Sequence, residues 1–447
     1  MTEHNDISLG VADLESLVAD VLKEARAQGA TQAEAAASLD AGLDVTVRMG
    51  EVETLEYQRD RGLGVTVYFG KRKGSASTAD LGRQAIAETV RAAASIARHT
   101  GEDPFAGLAD ADLMAGEVPD LDIHHPWDLS AEEAIELGLE CENAARARDP
   151  RIVNSEGATV HTHSGIRVYG NSHGFIGGYR GTTHSISCAV LGREGESMQR
   201  DHWYTVARHP QDLESAAAVG ERAADNTVRR LGSRRLSTRK APVLYVPQVA
   251  RGLIGHFLGA IRGASQYRES SFLLHAAGER IFPEFMQINE RPRIPRALGS
   301  APFDGEGVAT RERALVSDGV VTGYILDSYS ARKLGLATTG NAGGVHNVEV
   351  MPGALDLDGL LAEMGTGLVV TELMGQGVNG VTGDYSRGAA GFWVENGRIS
   401  HPVEEVTVAG NLRDMYRRIV AVGNDLDLRG NIRTGSILIE EMTIAGE

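Results

Sequence analysis

Cysteine is nearly absent from this chain: Cys141 and Cys188 are the only two in 447 residues. Two thiols cannot build a disulfide framework, a multi-cysteine zinc site or an iron–sulfur site. Left without partners, they suit a reducing compartment, so a cytoplasmic protein is expected. Long apolar runs are missing as well. No stretch approaches the roughly 20 residues of a spanning helix, so no membrane role is expected. The start, MTEHNDISLG, has neither the basic region nor the apolar segment of a signal peptide. Positive charge is also short, with 44 Lys+Arg against 61 Asp+Glu and a net charge of −17. An acidic surface repels phosphates, which argues against direct contact with nucleic acid.

Glycine, in contrast, is abundant at 54 residues, with no matching excess of proline. That combination signals turns between many strands, and 42% hydrophobic residues are ample for a core. Leu14, Leu17, Val18, Val21, Leu22 and Ala25 recur at helical spacing, and Gly29 marks a stop. From 33 to 78 the period becomes two, as in Leu43, Val45, Val47 and Val65, Val67, Phe69, which predicts a meander of four or five strands. Residues 80–98 return to helix. The order then recurs. Ser130 with Glu133 predicts a capping box opening a helix through Arg146. Residues 151–206 read as a second meander, with turns at 171–174 and at Gly177-Gly178, and 212–231 as a helix. The basic stretch 229–240, RRLGSRRLSTRK, reads as a solvated hinge. Beyond it come a strand at 243–246, a helix opening at Pro247, further helices at 355–363 and 411–417, and many short strands. The expected fold class is α+β, with two N-terminal helix–meander–helix units forming a pseudo-repeat (1–125 and 126–238) and a strand-rich C-terminal domain (239–447).

Chemical motifs are sparse. Gly170-Asn171-Ser172-His173-Gly174 fits G-x-S-x-G, but between two strands it reads as a hairpin turn and not as a nucleophile elbow. Gly375 to Gly380 fits G-x-G-x-x-G, yet the segment that follows is a poor helix former, which disfavours dinucleotide binding. His161 and His163 share one strand face and could grip a metal, but no third ligand is near in sequence, so an exposed or hydrogen-bonded pair of strand histidines is expected. Asp384, Tyr385, Ser386 and Arg387 read as a loop between glycines, either a tight turn or a ligand contact.

The C-terminal runs SYSARKLGL (328–336), TGNAGGVHN (339–347), EMGTGLVVTELMGQGVNGVTGDYSRGAAGFWVENG (363–397) and VAGNLRDMYRRIVAVGNDL (408–426) closely resemble the TldE, or PmbA, type of the TldD/TldE (modulator of DNA gyrase) metalloprotease family. The resemblance implies a heterodimer whose TldD-like sister carries a zinc-binding H-E-x-x-x-H helix and a later cysteine ligand. It also implies unfolded or leader peptides as substrates. On the matching helix this chain has Arg251 for the first histidine, Gly252 for the glutamate and His256 for the second histidine. Thr434 stands near the third ligand's position, and no cysteine follows Cys188. Arginine cannot give up its proton and glycine supplies no base, so the chain is expected to hold no catalytic zinc, the zinc residing in the sister. His256 is expected as a core histidine. The role implied is a non-catalytic subunit that encloses the cleft, with candidate peptide contacts at His346 and at Asp384, Tyr385, Ser386 and Arg387. Two alternatives stand beside it: a regulatory binding protein acting on gyrase or a toxin–antitoxin pair without proteolysis, and an independent hydrolase built on His161, His163 and His346. A homodimer is expected when the sister is absent.

Overall fold

The computed structural model describes residues 9–446. Its first half runs α1 (Val11–Ala27), β1 (Gln32–Arg48), β2 (Glu51–Phe69), β3 (Arg72–Thr78) and α2 (Arg83–His99), then α3 (Ala131–Arg148), β4 (Ile152–Asn171), β5 (Ile176–Glu194), β6 (Ser197–Ala207) and α4 (Ala216–Arg229). All six strands form one antiparallel sheet, ordered β3-β2-β1-β4-β5-β6. The first meander therefore has three strands where four or five were expected. Gly62 and Gly64 do not break β2 but lie within one continuous 19-residue strand. Gly177 and Gly178 are likewise strand residues and not a turn. A Cβ on Gly178 would stand 2.6 Å from Val168 Cγ2 and 2.7 Å from Val11 Cγ1, so glycine is required by the close approach of α1.

Burial alternates strictly along β1. Ala33, Ala35, Ala37, Leu39, Ala41, Leu43, Val45 and Val47 are buried under the helices, whereas Ser38, Asp40 and Asp44 turn to the uncovered face. Helices α1 and α2 cover one end of the sheet, with Leu14, Val18, Val21, Val90, Ala93 and Ala97 in their core. Helices α3 and α4 cover the other. The Ser130–Glu133 capping box opens α3 as expected, each side chain bonding the other's backbone N–H.

The second half contains β7 (Arg239–Tyr245), α5 (Pro247–Ala260), α6 (Gly263–Tyr267), β8 (Ile288–Glu290), β9 (Arg313–Ser317), β10 (Val320–Val321), α7 (Ser328–Leu334), β11 (Val348–Val350), α8 (Leu357–Met364), β12 (Gly367–Met374), β13 (Asp384–Glu395), β14 (Arg398–Asn411), α9 (Leu412–Arg417), β15 (Ile419–Val422), β16 (Ile432–Arg433) and β17 (Ile437–Ala445). A five-stranded sheet, β10-β9-β8-β11-β16, and a six-stranded one, β14-β13-β12-β7-β17-β15, share one large core. Most pairings are antiparallel; β7–β12 and β11–β16 are parallel. The architecture is α+β, as the patterning predicted. The 229–240 segment is not a free hinge. Arg230 is buried and ion-paired with Asp201 (3.2 Å) of the first half and Glu372 (2.6 Å) of the second.

Candidate functional site: a cleft between the open sheet face and the second half

The helices cover one face of the first sheet, and the second half lies against part of the other. Between them is a cavity of about 840 Å³, lined by Ser38, Arg61, Arg167 and Tyr179 on the sheet side and by Asp304 and residues 342–346 opposite. The 339–347 segment is fixed from behind. Glu290, 1% exposed and ion-paired with Arg313 (2.9 Å), accepts Asn341 Nδ2–H (2.7 Å) and the His346 backbone N–H (2.9 Å). Asp304 accepts the Ala342 N–H at 2.8 Å. Gly343 and Gly344 take φ of +98° and +128°, which only glycine adopts readily. The loop is therefore a rigid lining whose His346 ring, with Nε2 3.3 Å from the Gly340 carbonyl, borders the cavity.

His161 and His163 do lie on the open face, with near-parallel rings 6.4 Å apart. Each is held by a carboxylate: His161 Nδ1 is 2.7 Å from Asp44 and His163 Nε2 is 3.0 Å from Asp40. The geometry is that of the hydrogen-bonded pair. Among the described residues, no group of three or more His, Cys, Asp or Glu is placed to hold a metal ion. Ser172 is equally structural. Its hydroxyl accepts the Ala33 N–H at the β4–β5 turn. The 375–380 glycines are followed by β13 and not by a helix, so they lack the helix N-terminus that a dinucleotide phosphate needs.

Helix α5 carries Arg251, Gly252 and His256. Arg251 Nη1 donates to Tyr204 Oη (3.1 Å), so its guanidinium is turned to β6 of the first half. A Cβ on Gly252 would meet nothing within 4 Å, so packing does not demand glycine there. His256 is half-buried and not sealed in the core. It borders a cavity of about 260 Å³ with Gly255, Gly259, Phe272 and Val378, and meets the Tyr385 ring edge-on at 6.1 Å. Burial, and then the charge of Arg387, hold its imidazole below the ordinary value, so it is neutral near pH 7. Thr434 is fully buried, and its hydroxyl donates to the Gly435 carbonyl (3.0 Å). One imidazole beside an arginine, a glycine and a committed hydroxyl is not a zinc donor set.

Asp384 to Arg387 are the first residues of β13 and not a loop, because they pair in register with Val408 to Asn411 of β14. Tyr385 points into the core, 2% exposed, and Arg387 shares its face, leaving Asp384 and Ser386 on the other side. Tyr385 and Arg387 face His256 of α5, Asp384 and Ser386 turn away from it, and His346 borders the larger cleft, so the candidate contacts are not brought together. Sequence reasoning passed over Glu290, Asp304 and Glu306. Burial raises Asp304 above its ordinary value and pushes Glu306 up to about 7. Two acids alternating with glycines at 304–307 are the available signal in the sequence.

Profiles of the PmbA/TldA metallopeptidase domains match this chain in order: domain 1 over 33–97, the central domain over 124–231 and the C-terminal domain over 238–446. The chain therefore belongs to the PmbA/TldD metallopeptidase family, as a PmbA/TldE-type member of the modulator of DNA gyrase group. It is 53% identical to the metalloprotease PmbA of Escherichia coli O157:H7, over 93% of this chain and 92% of that one. It is 47% identical to the PmbA homologue of Haemophilus influenzae, over 97% and 96%. Among solved structures, a candidate modulator of DNA gyrase from Bacteroides thetaiotaomicron superposes with a TM-score of 0.92 at 28% identity, covering 97% of this chain and 99% of that one. TldE from Thermococcus kodakarensis shares the fold, with a TM-score of 0.84 at 20% identity over 96% and 100%. Among the described residues, no helix is long and apolar enough to cross a membrane.

Proposed function

We propose that this chain is the non-catalytic subunit of a cytoplasmic two-chain metallopeptidase, pairing with a TldD-like sister that holds the zinc. Its task is to enclose the cleft and hold an unfolded or leader peptide. The observation that carries the reading is helix α5. On a chain matched by the family along nearly its whole length, the positions of a first ligand and a general base are Arg251 and Gly252, and Arg251 is engaged with Tyr204. A zinc hydrolase needs neutral imidazoles as ligands and a carboxylate to take the proton of bound water, and this helix supplies one imidazole. The cleft, by contrast, is fully built. The rigid 339–347 lining and the polar sheet face offer backbone and side-chain partners to an extended chain. A chamber closed jointly by the two subunits admits an unfolded segment and excludes a folded domain, so selection acts on disorder.

The test is reconstitution. The purified chain alone is expected to hold no stoichiometric zinc and to leave an unstructured peptide intact. The TldD-like sister alone should cleave slowly, and the mixture at least tenfold faster. Stoichiometric zinc in this chain, or full activity of the sister alone, would overturn the reading. The description of structural neighbours as modulators of DNA gyrase favours a second reading, a regulatory binder without proteolysis. Binding to gyrase with no effect on the sister's cleavage rate would select it.

A further inference from the structure

The chain has an excess of acids, yet one cavity in it is walled by two arginines and a histidine, with Asp40 the carboxylate at its edge, paired with His163 and Arg167 and not with Arg208. Just beyond β6, Arg208 folds back over the open sheet face, where Gly165 of β4 and Gly181 of β5 stand opposite each other. A Cβ on Gly181 would lie 3.3 Å from Arg208 Nη1, and one on Gly165 would lie 2.7 Å from Asp40 Oδ1. The glycine pair thus lets Arg208 and the Asp40 carboxylate lie close over the sheet beside the cavity. The cavity, of about 330 Å³, is walled by His163, Arg167, Tyr179 and Arg208 and bounded by residues 298–300 of the second half.

Arg208 is anchored only by neutral groups. Nη1 donates to the Thr182 carbonyl (2.8 Å) and to Thr183 Oγ1 (3.2 Å), and Nη2 donates to the Leu298 carbonyl (2.6 Å). Its Nε is buried with no hydrogen-bond partner among the described residues. Burial pulls the guanidinium below its ordinary value, and no carboxylate offsets the effect. Taking a cation even partly out of water without a counter-charge is unfavourable, and a tie between two loops could be made by a neutral donor. Arg167, by contrast, is 62% exposed and 3.5 Å from Asp40, so it stands at the rim. Arg167 and Tyr179 also line the 840 Å³ cleft, which makes the hollow a side chamber of the place proposed to hold peptide.

We infer that this chamber binds a carboxylate of the peptide lying in the cleft, with the half-buried Arg208 as the inner cation and Arg167 at the rim. Two sources share this chemistry, the free C-terminus of the peptide and an acidic side chain along it. The inference rests on the peptide-holding reading for its ligand, but not for its anion chemistry. Charge-assisted bonds of guanidinium to carboxylate are about twice as strong as neutral ones.

The test measures fluorescence anisotropy of the full chain with a short unstructured peptide carrying a neutral dye at its N-terminus. The peptide is prepared as free acid, as C-terminal amide, and as amide with one internal Glu. Free acid is expected to bind about tenfold tighter than the plain amide. Arg208→Gln and the exposed Arg167→Gln should each shrink that ratio toward one. Recovery of affinity in the Glu-containing amide would assign the site to a side-chain carboxylate, and no recovery to the chain end. Equal binding of all three peptides, or a preference that survives in both variants, would overturn the inference while leaving the peptide-holding reading intact. The thermal midpoint with N-acetyl-glycylglycine against its amide separates the two ideas further. A rise with the acid alone supports the carboxylate site even if no longer peptide binds, whereas no rise with either speaks against it.

Discussion

Glu306 is the carboxylate that its surroundings push up to about 7. It lies where the first and second halves meet, bordering a cavity of about 570 Å³ with Glu34, Tyr68 and Tyr329, and accepts the Ser328 N–H at 3.0 Å. Burial is the main reason its carboxyl titrates near 7, and the charges of Asp304 and Asp327 add to it, against an ordinary 4.5. The folded state therefore keeps a proton that the unfolded chain has lost between about pH 4.5 and 7. With more protons bound in the folded state, stability falls as pH rises through that window, and the full penalty, about 3 kcal/mol, is present above it. Glu306→Gln retains an acceptor for Ser328 and removes the charge. It is expected to raise the thermal midpoint at pH 8, to change little at pH 4.5, and to flatten the profile between them. An unchanged slope would show that Glu306 does not titrate there.

At the scale of elements, glycine on a helix has two opposite meanings, and substitution separates them. On α4, a Cβ at Gly220 would stand 2.0 Å from the Cys141 carbonyl of α3, so the two helices touch backbone to backbone. Gly220→Ala must push α4 off α3 and is expected to cost about 1–3 kcal/mol in denaturant unfolding. On α5, the space around Gly252 is empty, and Gly252→Ala should stabilise by about 0.5–1 kcal/mol through helix propensity alone. If the two variants behaved alike, the packing argument would fail. The same contrast explains which elements could be read from the chain. The periodicity of Leu14, Val18 and Val21, the capping box of Ser130, and Pro247 at the start of α5 are local signals, and all three helices are present. The strand count failed because a glycine inside a long strand looks like a turn until the ladder that pairs it, Gly62 with Ser38 and Gly64 with Ala36, is known. Helix α7 went unseen because its seven residues are set by Asp327, which caps Ser330 N–H at 2.7 Å, and not by an apolar stripe. Of the site, the family resemblance gave α5 and the 339–347 loop. The buried acids behind that loop, and the cationic hollow at Arg208, arise from contacts between distant segments that no spacing encodes.

For the whole molecule, arginines join the two halves, and they do so through backbone carbonyls as well as carboxylates. Arg332 on α7 reaches the carbonyls of Phe105, Gly107 and Leu108. Arg429 donates to the Tyr204 carbonyl at 2.8 Å, and Arg230 bridges Asp201 and Glu372. Tyr329 adds a 2.7 Å bond to Asp103. A guanidinium serves three acceptors at once in one plane, which fixes the angle between the halves and hence the width of the cleft. Arg332→Ala would leave three carbonyls of the 105–108 segment without their shared donor, a loss of order 3 kcal/mol at that contact. The expected result is local. Hydrogen exchange should speed up over 103–108 and 326–334, while β1, held by the ladders to β2 and β4, keeps its protection. If the cleft acts as proposed, the same variant in the reconstituted pair should lose discrimination between an unstructured peptide and a small folded domain, because its width is no longer held fixed. Uniform acceleration of exchange across the chain would mean that Arg332 supports the fold as a whole and does not set the cleft.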